Sequence, residues 1–148
     1  MTFPTSAPFG PDGTESEPMP RPVLVDTDVL VDFLRGHAGA AACLEEFGER
    51  VILSAVTVAE LYAGVRGGEE DPEQTALANL LSQFRIVTVS GAVAKLGGLY
   101  KRDYGPKHGL GLADAVIAAT AELEGASLKT LNTRHYPMFK GLSRAYRK

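Results

Sequence analysis

Cysteine is nearly absent. Cys43 stands alone among 148 residues, so neither an internal disulfide nor a thiolate metal cage can form, and its apolar helical surroundings mark it as core. Long hydrophobic runs are missing as well. The longest stretches without a charge, Met1–Pro11 and Gln74–Phe84, are eleven residues each, against the ~20 needed to cross a bilayer. No membrane span is expected. No apolar run precedes the first basic residue, Arg21, so the start does not read as a secretory signal and a cytoplasmic location is expected. A large excess of one charge is also lacking. The net charge is −3, so a nucleic-acid partner would have to be met by a local basic surface.

What is present is an ordinary globular composition, 45% apolar and 22% charged, enough for one hydrophobic core. Six of the nine prolines fall within residues 1–22, which lack periodic hydrophobicity and read as a disordered leader. The domain is expected over 23–148. There, short apolar runs alternate with helical patterns, the signature of parallel strands joined by crossover helices. Strands are expected at Val23–Val25, Val51–Leu53, Ile86–Val89 and Ser127–Leu131, with a possible edge strand near Leu142–Tyr146. The helices expected between them run from an Asp28 N-cap to Leu34, over Ala38–Phe47, from a Ser54 cap to Arg66, over Pro72–Phe84 behind an Asp71 cap, over Ala92–Tyr104 and over Leu112–Glu124. A short helical turn is expected around Arg134–Phe139. The fold class is α/β, a central mostly parallel sheet flanked by helices.

Three carboxylates stand in apolar settings. Asp26 follows the first strand, at the carboxyl end where open parallel sheets bind ligands. Glu60 is the only charged group in Val56–Val65, and Asp114 the only one in Leu110–Ala121. Asp114 in a first helical turn is also explained by the helix dipole, and Glu60 by simple exposure. Three such groups within about 6 Å would repel by roughly 3 kcal/mol per pair at an effective dielectric near 20. A cation is needed to hold them together. Oxygen-only ligation points to Mg²⁺ or Mn²⁺, and such a site suits phosphoryl transfer.

The segments Val25-Asp26-Thr27-Asp28-Val29-Leu30-Val31-Asp32-Phe33-Leu34-Arg35-Gly36 and Ser54–Gly64 resemble the PIN-domain ribonucleases, and most closely the VapC-type toxins. Leu112-Ala113-Asp114-Ala115-Val116-Ile117-Ala118-Ala119-Thr120-Ala121 and Thr130-Leu131-Asn132-Thr133-Arg134-His135-Tyr136 extend the resemblance to about Leu142. It implies a Rossmann-like sheet, Mg²⁺-dependent endoribonuclease activity on RNA, a homodimer and a VapB-type antitoxin. By the same resemblance Asp26 and Asp114 are direct metal ligands, while Glu60 binds metal or holds a metal-bound water. Where the family often has a fourth acid this chain has Asn132, a departure that argues against a second tightly held metal. His135, three residues on, is expected to contact phosphate or solvent.

The C-terminal segment speaks for RNA without the resemblance. After Glu124 there is no acid, while Lys129, Arg134, Lys140, Arg144, Arg147 and Lys148 are basic and Tyr136, Phe139 and Tyr146 are interleaved. Such bases neutralise phosphates and such aromatics can stack on unpaired nucleobases, with Arg134, His135 and Lys140 the expected contacts. Two other readings compete: a non-catalytic PIN-like binding module, and a phosphoacceptor receiver domain. The receiver would need a lone aspartate ending a central strand, whereas here the third strand runs into Val89-Ser90.

Overall fold

Four short strands lie parallel in the order β3-β2-β1-β4: β1 (Val23–Val25), β2 (Val51–Ser54), β3 (Arg85–Val87) and β4 (Ser127–Lys129). The coordinates, a computed structural model, describe residues 20–148. Residues 1–19 of the expected leader therefore lie outside the described residues. At its end, Arg21 donates from Nε to the Gly125 carbonyl at 3.1 Å and the Pro22 carbonyl accepts from Ser127 N–H at 3.0 Å.

The strands alternate between two cores, as a period of two requires. Val23, Val25, Val51 and Leu53 face one layer, with Val29 and Leu30 of α1 (Thr27–Leu34), Cys43 and Leu44 of α2 (Ala38–Phe47), Leu61 of α3 (Ala55–Ala63) and Leu77 of α4 (Pro72–Leu81). Leu24, Ile52 and Leu128 face the other. There they meet Leu110 and a row of small and apolar residues, Ala115, Ile117, Ala118 and Ala121, of α6 (Leu112–Glu124). Outside α6 lies α5 (Gly91–His108), brought so near that a Cβ on Gly97 would sit 3.2 Å from the Val116 Cα.

Several boundaries differ from expectation. Asp26, not Asp28, is the N-cap of α1, because its extended backbone continues the β1–β4 ladder into the Lys129 carbonyl while its side chain turns onto Thr27 N–H. The third helix stops at Ala63 and the fourth at Leu81, earlier than expected. α5 instead runs past Tyr104 and through Pro106 to His108, where Gly109 adopts φ +68° and Lys101 Nζ holds the Leu110 carbonyl at 2.8 Å. The expected edge strand at Leu142–Tyr146 does not form. Its segment makes one backbone bond to β4's extension, Ala145 N–H to the Thr130 carbonyl at 2.9 Å. Side-chain anchors then draw the chain across the α1–α2 corner. Tyr146 donates to buried Asp32 at 2.6 Å beside His37, and Lys148 Nζ pairs with the same carboxylate at 2.9 Å.

Candidate active site

Asp26 is 4% exposed, at the carboxyl end of a central strand. Its Oδ1 accepts from Thr27 N–H at 2.8 Å, and its Oδ2 accepts from the Thr130 hydroxyl at 2.7 Å and the Tyr136 hydroxyl at 2.8 Å. The two hydroxyl donors come from the C-terminal part of the chain, which β1–β4 pairing brings alongside. Burial, and secondly the neighbouring charge of Asp28, push the Asp26 carboxyl up to about 7. Burial and the same carboxylates push the Tyr136 phenol far above its ordinary value, so it stays a donor.

Asp28 belongs to the same group, although as a helix cap it drew no functional role from sequence. Its Oδ2 accepts from Leu131 N–H at 3.0 Å and from Asn132 Nδ2 at 3.2 Å. Its Oδ1 is sealed from water without a hydrogen-bond partner, and burial raises its pKa. Asp114, in the first turn of α6, has Oδ1 3.4 Å from the Tyr136 hydroxyl and Oδ2 3.4 Å from His135 Nδ1. Tyr136 thus stands between Asp26 and Asp114.

Glu60 is exposed and joins the group through one residue. Thr27 donates its N–H to Asp26, while its hydroxyl bonds Glu60 Oε1 at 2.8 Å and lies 2.9 Å from the Thr57 hydroxyl. Among the described residues no three acidic, histidine or cysteine side chains stand close enough to enclose an ion as they are. The expected three-carboxylate cage is looser than the sequence suggests, because protein donors already hold Asp26 and Glu60. The donor set still fits a hard cation. It is all oxygen, and Asp28 Oδ1 is a buried acceptor lacking the positive partner that burial of a charge demands.

Asn132 reaches the site by donating to Asp28. The bonds of Thr130, Thr27 and Tyr136 to the acids were missed from sequence; Thr130 follows the Ser-Leu-Lys of β4 and its complete burial shows only in the fold. Tyr136 is 1% exposed and stacks on Phe139, so it cannot receive a nucleobase as its place among basic residues suggests. Of the basic set, Lys148 is committed to Asp32 and Lys129 lies over the Phe47 ring. Arg134 and Lys140 are exposed, and Lys140 lines a separate cavity with Arg21 and Ser127.

Residues 23–138 match the PIN domain family. The chain is 39% identical over 127 residues to Ribonuclease VapC19 of Mycobacterium tuberculosis, covering 83% of this chain and 98% of that one. It is 37% identical over 123 residues to Ribonuclease VapC10 of the same organism, covering 81% and 90%. Among solved structures, a chain of a toxin-antitoxin complex from Klebsiella pneumoniae superposes with a TM-score of 0.72 at 28% identity, over 85% of this chain and 99% of that one.

Proposed function

Since the chain belongs to the PIN-domain family, and within it to the VapC type, we propose that it is the toxin of a toxin–antitoxin pair: a Mg²⁺- or Mn²⁺-dependent endoribonuclease. The observation that carries the reading is the buried, partnerless Asp28 Oδ1 beside Asp26 and Asp114 at the carboxyl ends of parallel strands. Asp26, Asp28 and Asp114 would hold the cation, which when bound offsets their charge and that of a phosphate and makes water a better nucleophile.

The chain's own residues supply position and proton transfer. Thr130 and Tyr136 fix Asp26, and Thr27 fixes Glu60 at Oε1. Glu60 Oε2, without a protein partner among the described residues, takes a proton from the attacking water. Hydrolysis forms one P–O bond to that water and breaks the P–O bond to a ribose oxygen, which is protonated from solvent. Removing divalent ions with EDTA should stop cleavage of a labelled RNA, added Mg²⁺ or Mn²⁺ should restore it, and Asp26→Asn or Asp114→Asn should be inactive while folded. Full cleavage in either variant sinks the assignment, and a folded wild-type chain that binds RNA but never cuts it would be a binding module.

An antitoxin would lie along the apolar groove of about 550 Å³ formed by Val31, Leu34, Leu61 and Leu77, with Glu60 at its rim. A basic side chain from it would pair with the acids and apolar ones would supply affinity. A homodimer would use α6, where Leu112 and Leu123, three turns apart on one face, are 61% and 52% exposed. No helix among the described residues is long and apolar enough to cross a membrane; the proposed place of action is the cytoplasm.

A further inference from the structure

A polyanion approaching this protein meets a net charge of −3 and, at the site, a group of carboxylates. Beside those carboxylates the fold gathers cationic groups that are scattered in the sequence. A cavity of about 490 Å³ is lined by His108 at the end of α5, by Asn132, Thr133, Arg134 and His135 after β4, and by Arg144 of the tail. The left-handed Gly109 turns the chain directly after His108. Arg144 is placed by its neighbours, through Ala145 N–H on the Thr130 carbonyl and Tyr146 on Asp32. Among the described residues neither Arg134 nor Arg144 pairs with a carboxylate.

The cavity shares two walls with the acid group. Asn132 donates to Asp28, and His135 stands 3.4 Å from Asp114. Two guanidinium forks, an imidazole and a threonine hydroxyl present donors suited to phosphate oxygens. We propose that this cavity is a subsite for the phosphate neighbouring the scissile one on a single-stranded RNA, held by Arg134, Arg144 and His108. The proposal rests on the ribonuclease reading. It explains how an acidic site in an acidic protein accepts RNA: the flanking phosphate is met directly by cations while the acids face the reacting one.

The test is fluorescence anisotropy with a labelled single-stranded RNA 10-mer of mixed sequence, on the full chain carrying Asp26→Asn so that the RNA stays intact. Adding Arg134→Ala and Arg144→Ala together should weaken binding at least tenfold and reduce the slope of log K against log salt by ~1.4, two lost contacts at ~0.7 each. His108→Ala should also weaken binding. Lys95→Ala, exposed on the second turn of α5 and about 20 Å along the helix from His108, should leave both quantities unchanged. The Arg134→Lys, Arg144→Lys pair should recover most of the slope, which a merely structural role would not predict, and melting temperature identifies any variant that fails to fold. If the two-alanine variant binds like Lys95→Ala, the subsite is wrong while the ribonuclease reading stands. If the Asp26→Asn chain binds no RNA even at low salt, the ribonuclease reading falls and takes the subsite with it.

Discussion

Asp26 keeps its proton in the folded chain over a range where the unfolded chain has lost it, about 7 against an ordinary 3.8. The folded state then binds more protons, so stability of the metal-free protein falls as pH rises from about 4 to about 7 and levels off above. Asp28, also raised, adds to the same fall. Asp32 acts in the opposite sense, since Tyr146 and Lys148 hold its carboxyl below the ordinary value, but its contribution is gained as pH rises through 3.8 and is constant well above it. Thermal melting in EDTA should therefore show a falling Tm across pH 4–7, and Asp26→Asn should remove most of that fall; an unchanged profile in the variant would refute the burial argument. Asn132→Asp tests the same group from the other side. It replaces a donor to Asp28 with a like charge, so the metal-free protein should lose about 1–3 kcal/mol, and Mg²⁺ should recover the loss. If Tm stays put with and without Mg²⁺, Asn132 is not part of the site. Asp26, Glu60 and Asp114 were legible because a charge in an apolar run is conspicuous. Asp28 was not, because an aspartate opening a helix already has an ordinary explanation, and it is set apart only by its long-range bonds to Leu131 and Asn132 and by its partnerless Oδ1.

Between elements, the parallel strands and six α-helices could be read from the sequence, since β1, β2 and β3 are wholly or largely apolar and most helices carry a capping residue such as Ser54, Asp71 or Ser90. The tail could not. Leu142–Tyr146 has a strand's composition, yet its conformation is set by where two side chains find partners 114 and 116 residues away on Asp32. Gly39 makes room for this, as a Cβ there would come within 2.7 Å of the Tyr146 ring. Tyr146→Phe leaves buried Asp32 with Lys148 alone and should cost about 1–3 kcal/mol, lowering Tm by about 2–4 °C per kcal/mol. Because Ala145 also holds the Thr130 carbonyl, the variant should cleave RNA more slowly as well. Unaltered melting would show that the tail is merely laid on the surface.

At the scale of the whole molecule, a site at the strand ends follows from parallel strands with crossover helices, whereas the order β3-β2-β1-β4 appears only in the fold. The apolar groove beside Glu60 had no sequence signature of its own, since α1, α3 and α4 meet there only in the folded chain. Leu34, 42% exposed on its edge, is apolar without helping the core. Leu34→Asp should thus leave RNA cleavage intact while preventing rescue by a co-expressed antitoxin, measured as growth arrest that persists; full rescue would place the antitoxin elsewhere. The pairing of β1 with β4 carries one more consequence. Asp26 meets Thr130 and Tyr136, which follow it by 104 and 110 residues, and at about 5–20 residues per second of synthesis they are made several seconds after it. On the proposed function, a ribosome making this chain would carry an unfinished nuclease throughout that interval, and cleavage would begin only after the residues that complete the Asp26 group have been made.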